Sequence, residues 1–521
     1  MSPTKKNALP SCLWLLGTLW IFAWSFFRHR AFQSGAFDLG IFDQALWLIS
    51  RGLSPISSFM GFHILGDHAA LILYPLAFLY KICPRVETLL FIQAFALASG
   101  VIPLFKLAEK LEVSSKAAIS FAYLVSPGLL NAAIYDFHPE VFALPALLWA
   151  LHFLEKRKIF SFLLACLVVL SCKEVLSLTV LALGFALLLQ RRWREGAAAA
   201  FLGGSWFVFS TRFLIPHFSE KGVAAVARYQ GLFHDPSLFF SRLSSPEVLG
   251  YALMLLLPIA GGLAVRSFRN PLVLLPILPT FLLNVLSAAA TQRDLLHQYS
   301  LPVLPFLFYG ALRGKTSIKP LTWVIWGTVG FLALGSWRFV PLWLDASRCA
   351  PSLERSLALI PAESSVVANH ELAPHLDHRR RAFFFNDDRL PETWGSDFIL
   401  IDLAHPGWGT SLGKLGEAKK NLDSPQSDYR EVFGEKEIFL YQRKSKTLLK
   451  SIFSFELPYL EILQDPDQGI AAGIAPLRKD QGQPKLHGLL FLDGFGRGLL
   501  NHHFHVLQCR HIGTSDRKKN Q

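Results

Sequence analysis

The sequence predicts a mainly α-helical, polytopic membrane protein that carries a small α/β domain near its C-terminus. Of its 521 residues, 52% are hydrophobic and only 17% are charged, whereas charged residues make up about a quarter of a soluble domain. The mean hydropathy is +0.36, and long apolar runs recur through the first two thirds of the chain and then stop. Collagen-like, disordered and disulfide-scaffold proteins are therefore excluded.

About eleven apolar segments are predicted to form transmembrane helices, because a spanning helix needs about 20 mostly apolar residues. The segments are 11–27, 86–105, 117–134, 141–154, 159–172, 175–190, 197–215, 248–265, 271–290, 301–312 and 321–340. Every second connection is short and basic, which predicts a cytoplasmic N-terminus by the positive-inside rule. Much of the net charge of +13 then marks cytoplasmic turns, and we expect no nucleic-acid partner.

Three regions follow from this topology. Residues 1–341 are the predicted transmembrane module, with a long first outer loop at 28–85 that holds an interfacial or re-entrant helix at 67–83. Arg28 and Arg30 are exceptions to the charge rule in that loop. Residues 342–446 alternate strand-like runs with polar connectors, which predicts an α/β domain, and an odd number of helices places it outside the cytoplasm. Residues 447–521 are predicted to be a poorly ordered or unassigned tail.

The first outer loop contains two carboxylates on a predicted helix at 36–50. Asp38 and Asp43 lie five residues apart, so the helical period turns them about 140° away from each other, and we expect them to serve different functions. Asp38 either stabilises the first turn of the helix or acts at the membrane surface as a general base or metal ligand. Ionisable residues at membrane depth are costly, so those next to helix ends on one side form the natural hypothesis for a site.

The second outer loop places Asp136, His138 and Glu140 within five residues. An extended turn would put all three on one side, and these are ligand types for Mg²⁺, Mn²⁺ or Zn²⁺. A divalent metal is therefore the one cofactor that the residues suggest, with these three as its ligands. The alternative is a solvated turn in which Pro139 opens the next helix.

The later outer turns provide further candidates. Lys173 and Glu174 form either an ion pair at a helix break or, through Lys173, a phosphate-binding point charge. His297 and Tyr299 either bind substrate or anchor the helix at the membrane interface. The predicted substrate-binding residues are Asp43, Asp67, His68, His138, Lys173, Glu174, Arg293, His297 and Tyr299.

Five motifs in order give the chain a resemblance to a family of bacterial multi-pass membrane proteins known only as a domain of unknown function. The motifs are residues 37–44, 66–68, 136–140, 172–174 and 299–307, and shorter matches at 360–362, 374–376 with Arg379, and 397–402 extend the resemblance into the outer domain. It covers roughly residues 15 to 445. It implies a protein of the bacterial inner membrane.

That family is similar in layout to the GT-C class of integral membrane glycosyltransferases. The similarity implies transfer of a sugar from a polyprenyl-phosphate donor to an unknown acceptor at the outer face, among membrane lipids. It implies catalytic roles for Asp38, Asp136 and Glu140, with Asp38 as the base, although this sequence has Phe37 and Leu39 where many such enzymes have adjacent acidic residues. A transporter or flippase for a lipid-linked or anionic substrate, and a non-catalytic membrane scaffold, are the alternatives.

Overall fold

The computed structural model describes residues 3–220, 222–314, 318–386 and 395–444. The predicted tail at 447–521 lies outside the described residues. Within them the chain is mainly helical with one small mixed sheet, as the sequence predicts. The coarse fold class is therefore confirmed.

Five helical segments are long and apolar enough to cross a membrane: Ala8–Arg30, Val86–Lys110, Lys116–Ile134, Trp193–Phe218 and Pro320–Ser347. A sixth is obtained if Pro246–Leu256 and Ala260–Ser267, which meet at a bend of 103°, count as one broken span. Other predicted spans are shorter helices, such as the 14 residues of Ile159–Cys172. At 1.5 Å per residue such a helix is about 21 Å long, less than the hydrocarbon thickness of about 30 Å. In the described chain, length and composition thus support five or six spans, and the count of eleven is not confirmed.

The helices are numbered in chain order. They are α1 Pro3–Arg30, α2 Ile41–Ser50, α3 Leu73–Ile82, α4 Val86–Ser99, α5 Val101–Lys110, α6 Lys116–Leu124, α7 Pro127–Ile134, α8 Ala143–Glu155, α9 Ile159–Cys172, α10 Leu176–Leu189, α11 Trp193–Phe209, α12 Ile215–Phe218, α13 Gln230–His234, α14 Ser237–Leu243, α15 Pro246–Leu256, α16 Pro271–Leu286, α17 Leu304–Arg313, α18 Pro320–Leu334, α19 Val340–Ser347, α20 Ala350–Ala358 and α21 Leu412–Leu422. Short π turns at Ala36–Gly40 and Ser210–Leu214 and several 3₁₀ turns connect them.

The strands are β1 Ile56–Ser57, β2 Phe62–His63, β3 Val366–Ala368, β4 Ala382–Phe384, β5 Phe398–Asp402, β6 Tyr429–Glu435 and β7 Ile438–Arg443. β1 and β2 form a small hairpin, and the other five form a sheet in the order β4-β3-β5-β7-β6. β3 pairs in parallel with β4 and β5, while β7 is antiparallel to β5 and β6. This sheet, with α20 and α21, is hereafter called the outer domain after its predicted location, which stays a prediction.

The outer domain is layered because its central strands are apolar on both faces. Val366 and Leu400 pack with Leu353 of α20 on one face, whereas Ile399 and Leu415 of α21 pack together on the other. Strands buried on both faces read as continuous apolar runs, as in parallel α/β sheets. The predicted α/β architecture of this region is thus present.

The outer domain contacts the first long loop directly. Ser58 Oγ donates to the Ala382 carbonyl oxygen at 2.6 Å, and Gln44 Nε2 donates to the Arg379 carbonyl at 3.0 Å.

Basic turns lie at the C-terminal end of α8, where Arg192 donates to the Leu154 carbonyl at 3.1 Å. Helix α8 therefore runs from an acidic loop at its N-terminus to a basic cluster at its C-terminus, and the side of the membrane that each faces stays a prediction.

Candidate functional site

Asp38 lies in the π turn at Ala36–Gly40 that leads into α2. Its Oδ1 accepts a hydrogen bond from His138 Nε2 at 3.0 Å. The Asp38 side chain is 31% exposed, whereas that of His138 is 3% exposed. Burial opposes ionisation of Asp38, but the nearby imidazole of His138 outweighs it and lowers the pKa of the carboxyl. Asp38 is thus an ionised carboxylate that a buried side chain orients toward solvent.

A buried glutamine on α4 holds the loop that carries His138. Gln93 Nε2 donates to the carbonyls of Ala133 and Asp136 at 2.8 and 3.0 Å, and its Oε1 accepts from the His138 amide at 3.3 Å. Sequence reasoning did not single out Gln93. The sequence does distinguish Gln93, because it is a polar residue inside an otherwise apolar run. An unsatisfied amide would be costly there, so a hydrogen-bonding role could have been predicted.

Asp136 is bound by the end of the first helix. Its Oδ1 lies 2.6 Å from Arg28 NH1, and its Oδ2 accepts from the Gly35 amide at 2.9 Å. Burial raises the pKa of Asp136 above its ordinary value, although the Arg28 charge acts in the opposite direction. Arg28, which the predicted topology makes an exception to the positive-inside rule, is thus paired with a carboxylate within the protein. Arg30 pairs in the same way with Glu354 of the outer domain at 2.6 Å.

Two further ion pairs continue from this loop into the turn after α9. Glu140 Oε1 lies 2.7 Å from Lys173 Nζ, and Glu174 Oε1 lies 3.2 Å from His68 Nδ1. His68 Nε2 is 3.5 Å from Asp67. Although burial opposes it, the charges of His68 and Lys173 lower the pKa of Glu174 to about 2. Lys173 and Glu174 thus pair with other residues, Lys173 with a carboxylate of the preceding loop and Glu174 with His68. The phosphate-binding role of Lys173 stays a prediction.

Aromatic contacts link His138 to the segment before α17. The Tyr135 ring stacks against His138 with centroids 6.2 Å apart and meets His297 edge-on at 4.3 Å. His297 Nδ1 donates to Asp294 at 2.8 Å. These contacts connect most of the predicted site residues. We call this set the Asp38–His138 network, and its members are Arg28, Asp38, Asp67, His68, Gln93, Tyr135, Asp136, His138, Glu140, Lys173, Glu174, Asp294 and His297.

Arg228 and Tyr299 lie at the border of this network. The Arg228 guanidinium is 5.4 Å from the centre of the Tyr299 ring, and that ring is 6.1 Å from His297. Arg293 instead pairs with Glu247 at 3.2 Å and donates to a backbone carbonyl at 2.7 Å. Arg228 thus offers a cation that is paired with no described carboxylate. Arg293 is already paired with Glu247.

Asp136, His138 and Glu140 do not share one side of the loop. Asp136 has a positive φ of 99°, and Pro139–Phe142 forms a 3₁₀ turn, so the expected two-residue alternation is wrong here. The three side chains turn to different partners, as described above, and do not converge on one position. In the described part of the chain, the residue group suited to a metal ion lies elsewhere and contains Asp43.

Asp43 lies apart from Asp38, as predicted, although Asp38 belongs to the π turn before α2 and not to α2 itself. Its side chain is buried and accepts a short hydrogen bond from the Tyr80 hydroxyl of α3. Among the contacts of the described residues, none joins Asp43 to His138. The structure therefore does not bring this predicted substrate-binding residue into the Asp38–His138 network.

The outer domain adds an aromatic surface beside Asp38. The Phe37 amide donates to His370 Nε2 at 3.3 Å, and the Phe37 ring lies 4.8 Å from Phe384 and 5.0 Å from Trp408. Phe37 and Trp408 are 38% and 44% exposed. Sequence reasoning missed these residues because more than 330 positions separate His370 from Phe37 and no local pattern connects them.

Comparisons with known proteins give one family match. A protein-family model described as "Predicted membrane protein (DUF2079)" matches residues 28–431. A comparison with curated proteins finds no match. The match extends from the end of the first helix through most of the outer domain and includes every residue of the network described above.

Proposed function

We propose that this chain, which belongs to the DUF2079 family of predicted membrane proteins, is a glycosyltransferase with a GT-C-like layout of about eleven spans. It would transfer a sugar from a polyprenyl-phosphate donor to an acceptor at the outer face of the bacterial inner membrane. The observation that carries this proposal is the hydrogen bond of 3.0 Å between partly exposed Asp38 and buried His138. Membership of this family supports a membrane protein. The reaction itself is inferred from the residues of the site.

Asp38 would act as the general base. Its lowered pKa keeps it ionised at neutral pH, so it can accept the proton of an acceptor hydroxyl. As that oxygen forms a bond to the anomeric carbon, the bond from this carbon to the phosphate oxygen breaks. The proton then passes from Asp38 to solvent. His138 would position the carboxylate, and the buried ion pairs of Asp136 and Glu140 would hold the loop rather than contact the reacting atoms.

The departing phosphate needs cationic hydrogen-bond donors more than a proton. Lys173 is the weakest of the predicted cations for this role, because Glu140 already lies 2.7 Å from it. Arg228, beside Tyr299, is better suited, whereas His297 already donates to Asp294 at 2.8 Å. Arg293 could contribute if it left the exposed Glu247 side chain. The aromatic surface of Phe37 and Trp408 would contact the apolar face of a sugar.

The proposal is tested by exchanging Asp38 for Asn. Asp38→Asn should accumulate the lipid-linked donor in a strain that lacks the wild-type copy and should lose the glycan product. Asp428→Asn is the matched control, since Asp428 is an exposed carboxylate of the outer domain. Full retention of product by Asp38→Asn at normal membrane abundance would exclude Asp38 as the base.

A transporter or flippase for a lipid-linked substrate is the second candidate, and the broken span favours it. Pro246–Leu256 and Ala260–Ser267 meet at 103°, where Gly261 and Gly262 have positive φ values of 67° and 78°. Discontinuous helices often form the substrate sites of transporters. In proteoliposomes a flippase would move labelled polyprenyl-phosphate sugar between leaflets without consuming it, whereas the transferase would consume it only when acceptor is present.

A further inference from the structure

Three potential metal ligands meet where the first loop contacts the outer domain. Asp43, Asp377 and His378 each offer one ligand atom, and these atoms all lie within 4.8 Å of one another. The closest pair is Asp43 Oδ2 and His378 Nε2, at 2.7 Å. Atoms that share one cation at 2.0–2.2 Å lie roughly 3–4 Å apart. The group is therefore close to the size of a coordination site.

The carboxylates of this group are buried and incompletely satisfied. Asp43 and Asp377 are 0% and 1% exposed. Asp43 Oδ2 lies 2.7 Å from His378 Nε2 but outside hydrogen-bond geometry, and Asp377 Oδ2 has no hydrogen-bond partner among the described residues. Buried polar atoms nearly always have partners, and two neighbouring buried carboxylates repel each other unless a cation or a proton lies between them. The unpartnered oxygen of Asp377, beside a second buried carboxylate, thus points to a ligand.

Surrounding side chains hold the group in place. The Tyr80 hydroxyl donates to the other carboxylate oxygen of Asp43, and the His378 ring stacks on Trp47 with centroids 6.0 Å apart. The Arg51 guanidinium covers the Trp47 ring at 4.6 Å. Such outer contacts orient ligands in metal sites. His378 is partly exposed, which leaves a route by which an ion can enter from solvent.

We propose that Asp43, Asp377 and His378 bind one divalent cation, Zn²⁺ or Mn²⁺. Carboxylate oxygens with an imidazole nitrogen are a ligand set that both ions accept, and the two negative charges balance the charge of the ion. Because Asp43 belongs to α2 and the other two ligands belong to the outer domain, the ion fixes that domain over the loop that carries Asp38. The site does not depend on the proposed transferase activity.

The alternative occupant of the site is a proton shared by Asp43 and Asp377. Metal titration distinguishes a bound cation from this shared proton. Full-length protein in detergent is stripped with EDTA and titrated with ZnCl₂ or MnCl₂, with calorimetry and the melting temperature as readouts. Because the tail contains His502, His503, His505 and His511, the stoichiometry is read as the difference between wild type and variants. Wild type should bind one more equivalent than Asp377→Asn or His378→Ala, and its Tm should rise by several degrees.

His405→Ala is the matched control, since His405 pairs with Asp402 at 3.1 Å but is absent from the three-ligand group. It should keep the full stoichiometry. Equal metal uptake by wild type and both ligand variants would overturn the proposal and favour the shared proton. If a variant fails to fold, Asp43→Asn and His378→Gln are titrated in the same way, and metal uptake equal to that of wild type refutes the site.

Discussion

The ion pair of Glu140 and Lys173 gives a quantitative test of the loop architecture. Nζ and Oε1 lie 2.7 Å apart, with side chains only 11% and 6% exposed. Replacing one partner of a buried pair leaves an uncompensated charge, which costs about 3–5 kcal/mol. Glu174 also lies near Lys173 and partly compensates its charge. We therefore expect Glu140→Gln to destabilise the protein by the lower figure, about 3 kcal/mol.

The assay is reversible unfolding by SDS in mixed micelles, which gives a free energy for each variant. A Glu140→Gln/Lys173→Met double variant should be less destabilised than the single variant, since removing both charges leaves none unpaired. Glu354→Gln breaks the pair with Arg30, whose side chains are about half exposed, and should cost at most about 1 kcal/mol. A Glu140→Gln change within about 0.5 kcal/mol of wild type would refute the reasoning that this pair is desolvated.

Three further outcomes follow from the same contacts. Asp38→Asn should reduce sugar transfer by about 10²–10⁴-fold, the usual contribution of a general base, measured with a labelled lipid-linked donor. Gln93→Leu should cost about 1–3 kcal/mol in SDS unfolding, because it leaves buried backbone groups of the His138 loop without partners. The pair of Glu174 and His68 should stabilise the protein most between pH 4.5 and 6.5. The Glu174 contribution is lost as pH falls from 4.5 through its folded pKa of about 2, and the His68 contribution is lost as pH rises through a pKa held above 6.5 by Asp67 and Glu174 against the effect of burial. Melting curves of wild type and Glu174→Gln across pH should converge below pH 2, and a constant difference would contradict the linkage.

The separation of Asp38 and Asp43 was predicted from their spacing of five positions on a regular α-helix. The structure places Asp38 in the π turn before α2, so the outcome agrees with the prediction although the period that it assumed is not kept. The divergence of Asp136, His138 and Glu140 was not predictable, because alternation predicted that they share one side. The Asp136 side chain turns away because its residue has a positive φ and because it pairs with Arg28. The spacing of the three residues encodes neither feature.

The number of spans shows a second limit of local reasoning. Apolar runs such as 159–172 and 175–190 are evident in the sequence, but the structure makes each a helix of 14 residues. Hydropathy shows that a segment is buried away from water, but it does not distinguish contact with lipid from contact with other helices. The length of the folded helix decides whether it can cross alone.

Composition and charge order were sufficient to establish a membrane protein with one acidic loop region, one set of basic turns and an α/β domain, because hydropathy and charge act through short windows of sequence. Tertiary structure alone decided the partners of those charges. Arg28 meets Asp136 across 108 positions, and Asp43 meets His378 across more than 330. A desolvated charge must be neutralised by whatever group the fold brings within about 3 Å, and that distance is set by the packing of helices and sheet, not by sequence spacing.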